Sequence, residues 1–261
     1  MFAKKSLGQN FLMHAQTAER IVQAAKLPEG ALVLEIGPGT GMLTRALLAQ
    51  NLKVVAVEAD DTLAPELEET FAPEIASKQL KIVHADIRNF DPSIIEGEYH
   101  LVANIPYYIT GEIIRSFLTA GHQPRSMTLL VQKEVAERIA RSKKESLLSL
   151  SVRVFGTPEY CFTVPRGAFR PAPNVDSAVL AIRNIDSEAF SDKSKENYFF
   201  SVIRAGFAHK RKRLAKNLED VASVEQVTSA FDAASLDKNI RPEDLSLEDW
   251  KLLTQSLSNS S

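Results

Sequence analysis

This sequence is dominated by a regular alternation of apolar, β-branched runs with segments of helical periodicity, which extends from residue 31 to about residue 141. Such an alternation is typical of a parallel β-sheet with helices on both faces. We predict strands at residues 31–36, 53–58, 81–86, 100–104 and 126–132, and two further strands near 148–155 and 175–183. The pattern therefore predicts an α/β fold.

The strand signal disappears beyond residue 184. Phe199, Phe200, Ile203 and Phe207 share one helical face, and Ser223 with Gln226 is typical of a helix capping box. We predict a main domain at residues 1–183 and a small all-helical domain at residues 184–261.

Composition and cysteine content favour an ordinary globular protein of the cytoplasm. The 261 residues are 44% hydrophobic and 25% charged, and no apolar run approaches the length of a membrane span. The first residues lack the apolar stretch of a secretory signal, and a lone cysteine, Cys161, fits a reducing compartment. The five histidines are scattered without cysteine partners, so we expect no metal site.

Four successive predicted strands end on residues that are suited to binding a ligand. The first strand runs into Glu35 and a turn that contains Gly37, Gly39 and Gly41, where glycine lets the backbone pass close under a ligand. The second ends at Glu58, where a carboxylate can accept hydrogen bonds from two ribose hydroxyls. The alternative is a plain strand–helix turn followed by a solvent-facing glutamate, and the position of Glu58 favours cofactor binding.

The third strand ends at Asp86, which can accept a hydrogen bond from the exocyclic amine of an adenine. Aspartate also caps helices and forms turns, and Asp86 alone would favour that interpretation. Its place after the glycine turn and Glu58 favours the ligand role.

The fourth strand ends at Asn104-Ile105-Pro106-Tyr107, which favours chemistry on an aromatic amine. Such an amine is a poor nucleophile because its lone pair is conjugated with the ring. Two acceptors, the Asn104 side-chain oxygen and the Ile105 carbonyl held by Pro106, can draw the nitrogen towards tetrahedral geometry. Tyr107 can stack on a flipped base. The alternative is an Asx-type turn with a core tyrosine.

Two further features extend this hypothesis. Phe169 lies in a proline-stiffened loop and could close the other face of the base, although a core phenylalanine is an equal alternative. Five cations without an acid predict a phosphate-binding strip, in place of a solvated helix face. They are Lys210, Arg211, Lys212, Arg213 and Lys216, and Lys4 and Lys5 could extend the strip.

Taken together, these residues resemble the KsgA-type ribosomal RNA adenine dimethyltransferases over nearly the whole chain. The most specific segments are residues 5–12 (KSLGQNFL) and 169–178 (FRPAPNVDSA), beside the 35–41 turn and 104–107. The basic strip departs from the arrangement that is usual in that family.

The resemblance implies a Rossmann-like S-adenosylmethionine-dependent methyltransferase that dimethylates N6 of two adjacent adenines in the 3′-terminal hairpin loop of small-subunit (16S) rRNA. It implies that Asn10, Leu12 and Gly37 line the cofactor, that Glu58 takes its ribose and Asp86 its adenine amine. It also implies that Asn104 contacts both cofactor and target, that Tyr107 and Phe169 sandwich the base, and that the helical domain docks on the assembling 30S subunit. We expect a monomer, since no coiled-coil seam is visible.

Two alternatives stay open at this point. One is an Erm-type methyltransferase that acts on large-subunit rRNA and confers antibiotic resistance. The other is a non-enzymatic nucleic-acid-binding factor on the same scaffold, against which Asn104 and Glu58 argue.

Overall fold

A computed structural model describes residues 8–186, 188–209 and 212–259. The chain divides into two compact units. The first comprises residues 1–140 and 156–185, and the second comprises residues 141–155 and 186–261. The longer segment of the second unit begins at Asp186, two residues beyond the predicted boundary at 184. The second unit also includes the segment 141–155, which the sequence pattern assigned to the first domain.

The first unit is built on a seven-stranded sheet. Its strands are β2 (Leu32–Ile36), β3 (Lys53–Glu58), β4 (Leu80–His84), β5 (Tyr99–Asn104), β6 (Met127–Gln132), β7 (Thr157–Val164) and β9 (Ser177–Arg183). The order across the sheet is β4-β3-β2-β5-β6-β9-β7. The first five strands in this order are parallel, and β9 and β7 run antiparallel to their neighbours.

Helices accompany this sheet. They are α1 (Ala15–Ala25), α2 (Met42–Leu48), α3 (Leu63–Thr70), α4 (Ala72–Ala76), α5 (Thr110–Leu118) and α6 (Lys133–Ala140). The central strands β5 and β6 are buried along nearly their whole length, as expected for parallel strands that are covered on both faces. No helix in the described ranges is both long and apolar enough to cross a membrane.

The sheet confirms the predicted α/β class and the five predicted parallel strands, each within one or two residues at its ends. The strand predicted near 175–183 is also present, as β9. The strand predicted near 148–155 is wrong, because Leu147–Phe155 forms helix α7 of the second unit. The edge strand β7, which contains Pro158, was not predicted.

A second, two-stranded sheet lies in the first unit. Strand β1 (Phe11–Leu12) pairs antiparallel with β8 (Phe169–Arg170), so that Leu12 lies opposite Phe169 and Phe11 opposite Arg170. This short ladder joins two segments that are far apart in sequence.

The helices of the second unit are α7, α8 (Lys193–Gly206), α9 (Leu214–Leu218), α10 (Val224–Ala233) and α11 (Leu247–Asn259). Trp250 and Phe231 are fully buried in this unit. Ser223 and Gln226 form the predicted capping box at the start of α10.

Strand order reverses between β2 and β5. From β2 the chain continues to β3 on one side, while β5 lies on the other side of β2. In open α/β sheets ligands bind at this switch point, outside the carboxyl ends of the strands. The glycine turn after β2 and Asn104 at the end of β5 both lie there.

Candidate active site

A cleft with about 830 Å³ of empty space opens at the switch point. The predicted residues that line it are Asn10, Gly37, Gly39, Glu58, Asp86, Asn104, Ile105, Pro106 and Tyr107. The fold thus brings the ends of four strands and the segment before β1 to one place.

The glycine turn presents its backbone to this cleft. Gly37 and Gly39 have φ angles of 64° and 60°, in the left-handed region that side chains disfavour. A Cβ atom at Gly39 would lie 3.0 Å from the Phe11 ring, whereas one at Gly37 would meet nothing within 4 Å. The space beside Gly37 is therefore open to a ligand.

Glu58 is buried at the end of β3, and the backbone fixes its carboxylate. One oxygen accepts a hydrogen bond from the Gly39 amide at 3.0 Å, and the other accepts one from the Asp60 amide at 2.9 Å. Burial raises the pKa of Glu58, while these amides work in the opposite direction. Each oxygen retains acceptor capacity for a hydroxyl group.

Asp86 lies at the rim of the cleft and is strongly bonded to Arg88. Its oxygens accept hydrogen bonds from the Arg88 backbone amide at 2.9 Å, from Nε at 3.1 Å and from a terminal guanidinium nitrogen at 2.5 Å. These bonds hold the pKa of Asp86 below its usual range. Asp86 also caps the short 3₁₀ turn at Ile87–Asn89. It is therefore a capping residue, as its alternative interpretation expected, and it lines the cleft as well.

Glu35 is completely buried and does not line the cleft. Neither carboxyl oxygen has a hydrogen-bond partner among the described residues. Desolvation raises the pKa of Glu35 to about 8, with Thr44 acting in the opposite direction. The side chain is therefore neutral at pH 7.

The Asn104 side chain is oriented from a distant part of the chain. Its amide nitrogen donates a hydrogen bond to the Asn10 backbone carbonyl at 3.0 Å. Because that bond uses the amide end of the group, the Asn104 oxygen is the end left as an acceptor for a ligand.

Tyr107 follows on a short 3₁₀ turn at Tyr107–Ile109. Its hydroxyl lies 2.7 Å from the Ser177 hydroxyl on β9, where either group can donate, and burial raises the pKa of Tyr107. The Ile105 side chain is buried, so this residue can reach a ligand only through its backbone.

A second, wider cleft adjoins the first. Gly8, Gln9, Asn10 and Tyr107 line both clefts, and Phe169 lines only the second. The predicted pair of aromatic residues, Tyr107 and Phe169, therefore lies on one common cleft. Phe169 is also largely buried and packs in the hydrophobic core, as its alternative interpretation expected.

Two other predicted cofactor residues lie outside the lining of the first cleft. Leu12 is buried in β1, opposite Phe169. Gly41 precedes α2 with a φ of 77°, and a Cβ atom there would lie 2.6 Å from the Phe71 ring. Both residues pack next to the cleft without lining it.

The basic strip belongs to the second unit. Lys210 and Arg211 lie outside the described residues. Lys212 and Arg213 are exposed, while Lys216 is exposed and forms an ion pair with Glu219.

Residue patterns missed four contacts of this site, one of which is the hydrogen bond from Asn104 to the Asn10 carbonyl. In the other three, the Ser177 hydroxyl bonds Tyr107, Arg88 bonds Asp86, and the Gln9 side chain donates to Asp60 at 2.9 Å. Only Arg88, two residues from its partner, carried a local signal. The described residues include no group of three or more His, Cys, Asp or Glu side chains that could hold a metal ion.

Comparison with known proteins identifies close relatives. Residues 2–259 match the family model described as ribosomal RNA adenine dimethylase. A Dehalococcoides mccartyi protein named ribosomal RNA small subunit methyltransferase A is 40% identical over 257 residues, which cover 96% of this chain and 87% of the relative. A Geobacillus thermodenitrificans protein of the same name is 38% identical over 271 residues, covering 97% and 90%.

Two solved structures resemble the chain over most of its length. The 23S rRNA methyltransferase ErmE has a TM-score of 0.75 at 27% identity, covering 95% of this chain and 100% of ErmE. A dimethyladenosine transferase from Plasmodium falciparum has a TM-score of 0.77 at 23% identity, covering 95% and 98%, and this match concerns the fold alone.

Proposed function

The chain belongs to the ribosomal RNA adenine dimethylase family, and from this premise we propose that it dimethylates N6 of two adjacent adenines in the 3′-terminal hairpin loop of small-subunit rRNA, using S-adenosylmethionine. Membership makes the chain a methyltransferase, so the non-enzymatic alternative falls away. The observation that carries the proposal is the Asn104 carboxamide in the first cleft, fixed by Asn10, which lines both clefts.

The residues of the first cleft suit S-adenosylmethionine. Glu58 offers two fixed carboxylate oxygens to the ribose hydroxyls, and the open space beside Gly37 accepts the adjoining part of the ligand. Asp86, shared with Arg88, is the acceptor for the adenine amine. When bound, S-adenosylmethionine supplies an electrophilic methyl group.

The chain's own residues prepare the target amine. In our proposal the Asn104 oxygen and the Ile105 carbonyl accept its two hydrogens, which frees the nitrogen lone pair. Tyr107 and Phe169 hold the base between their rings and exclude water from its faces. A dedicated general base is unnecessary because the nitrogen becomes acidic only after it has gained the methyl group.

Sequence identity favours the small-subunit target over the large-subunit alternative. Relatives that are 36–41% identical over most of their length carry the small-subunit name. The 23S rRNA methyltransferase ErmE is 27% identical. We further propose that the second unit docks on the assembling 30S particle in the cytoplasm, and that the enzyme acts as a monomer.

A labelling experiment tests this proposal. Purified protein is incubated with methyl-labelled S-adenosylmethionine and with immature small subunits, large-subunit rRNA or DNA, and the nucleosides are then separated. We expect label in N6,N6-dimethyladenosine from the small subunits alone. Label in large-subunit rRNA would support the Erm-type alternative, and no label in any substrate would overturn the proposal.

A further inference from the structure

The second cleft has a composition unlike that of the first. Four carboxamides line it, on Gln9, Asn10, Gln132 and Asn174, together with one guanidinium, on Arg170. No carboxylate is among its described lining residues, whereas Glu58 and Asp86 both line the first cleft. Carboxamides and a guanidinium are the groups that read base edges and bind phosphate.

Arg170 offers an available positive charge at this cleft. Its backbone is fixed in β8 opposite Phe11, next to the buried Phe169. Its side chain is exposed and forms no ion pair with any residue in the described ranges. A guanidinium on the same cleft as the predicted base-binding ring of Phe169 is well suited to a nucleotide phosphate.

The cleft also carries exposed apolar side chains. Met13 and Val175, which line it, are 44% and 45% exposed. Single exposed apolar residues are ordinary on protein surfaces, but here the two lie on one cleft beside polar groups that suit nucleotides. Apolar side chains provide contact for the faces of unstacked bases.

The space in this cleft exceeds the need of one flipped base. It holds about 2070 Å³ of space, which includes open solvent, against about 830 Å³ in the first cleft. The second cleft is therefore wide enough for a neighbouring nucleotide beside a flipped base.

We propose that the outer part of this cleft is a subsite for the nucleotide adjacent to the target adenine. Arg170 binds the phosphate between the two nucleotides. Gln132 and Asn174 bind the edge of the neighbouring base, and Met13 and Val175 contact its face. The proposal rests on the proposed RNA substrate and gives a physical reason for two adjacent target adenines, since a carboxamide can bond N6 and N7 of the neighbouring adenine together while that adenine is unmethylated.

A cycle of substitutions in enzyme and RNA tests base recognition. Small subunits are reconstituted with either adenine of the pair replaced by uridine, and methylation of the remaining adenine is measured. We expect about tenfold slower methylation by the wild type, and about the same loss when Asn174→Ala acts on the natural pair. The two changes together should cost no more than either alone. Independent, multiplicative effects would overturn the subsite. The control is Gln50→Ala, which removes an exposed carboxamide of the first unit that lines neither cleft.

A matched pair of arginine variants tests the phosphate contact. Arg170→Gln should raise KM for small subunits about tenfold with kcat unchanged, and should reduce the slope of log affinity against log salt by about one. Arg170→Lys should restore most of the affinity. Arg166→Gln removes an exposed arginine from the same loop outside the cleft lining, and we expect a smaller effect.

The outcomes separate the subsite from the function. Equal salt slopes for the wild type and Arg170→Gln would refute the phosphate contact even if methylation of small subunits is normal. A wild-type enzyme that methylates no small subunit would overturn the proposed function and the subsite with it. Binding of S-adenosylmethionine alone should be unchanged in Arg170→Gln and Asn174→Ala.

Discussion

At the scale of single residues, the candidate site depends on polar groups that are held in place before any ligand arrives. Glu58 is fixed by two backbone amides and Asn104 by the Asn10 carbonyl. Positioned acceptors of this kind contribute to catalysis because they need not reorganise during the reaction.

Asn104→Ala tests the fixed acceptor. We expect methyl transfer to fall at least about 100-fold, because the amine loses one of its two acceptors, while affinity for S-adenosylmethionine weakens only modestly. Single-turnover transfer and equilibrium binding measure the two effects, with Gln50→Ala, at an exposed site outside both clefts, as the control. Near-normal turnover in Asn104→Ala would contradict the mechanism.

Glu35 should make the stability of the protein depend on pH. Its pKa rises from 4.5 to about 8 on folding, so between these values the folded chain keeps a proton that the unfolded chain has lost. The free energy of unfolding should therefore fall as pH rises, by up to about 1.4 kcal/mol per pH unit from this group. Stability from this source is complete below the lower value and lost as pH passes through 8.

Glu35→Gln should remove this contribution. In urea unfolding between about pH 6 and 8, the free energy of unfolding should depend less on pH in the variant than in the wild type. Parallel profiles would mean that Glu35 is ionised in the folded protein.

At the scale of elements, the sequence predicted the parallel strands of the central sheet. Strands β2 to β6 have continuous apolar runs because helices cover both faces, and such a run can be recognised from neighbouring residues alone. Helix α7 was mistaken for a strand because Leu148, Leu150, Val152 and Val154 alternate with other residues. Six of the nine residues of α7 are buried, among them Ser149 and Ser151, so the alternating serines do not mark the solvent face of a strand. The Ser146 hydroxyl, which accepts a hydrogen bond from the Ser149 amide, was the available sign of a helix start.

The contacts that complete the site could not be predicted in the same way. The hydrogen bond from Asn104 to Asn10 spans 94 residues, and that between Tyr107 and Ser177 spans 70. Such pairings follow from the three-dimensional path of the chain, in particular from the β1–β8 ladder. Residue types at strand ends predicted which groups line the cleft but not what holds them in place.

Gly41→Ala tests the packing of the glycine turn against α3. Gly41 and Gly97 share a φ of 77°, but only at Gly41 would a Cβ atom collide with the Phe71 ring. Both alanine variants should lose about 1–2 kcal/mol of unfolding free energy because of the left-handed backbone, and Gly41→Ala should lose about 1–3 kcal/mol more. Equal losses in urea unfolding would show that Phe71 moves aside without cost.

At the scale of the whole molecule, a net charge of −2 implies that RNA binding depends on local clusters of cations. The predicted strip in the second unit contains such cations. Lys212 and Arg213 are exposed, while Lys216 is engaged by Glu219.

Replacement of Lys212 and Arg213 by glutamine should flatten the salt dependence of RNA binding. Each phosphate contact that is lost should reduce the slope of log affinity against log salt by about 0.7–0.9. Lys216→Gln should have a smaller effect because its charge is already paired. Filter binding at several salt concentrations measures the slopes, and an unchanged slope in the double variant would remove the strip from the interface.

The central claim is that this cleft delivers methyl groups to a pair of adenines in small-subunit rRNA. Mass mapping of modified nucleotides in ribosomes from cells that lack the protein tests it most directly. We predict that two adjacent adenines of the 3′-terminal hairpin lose all their methyl groups, and that the wild-type chain restores them but Asn104→Ala does not. An unchanged small-subunit map, or a loss confined to the large subunit, would contradict the account.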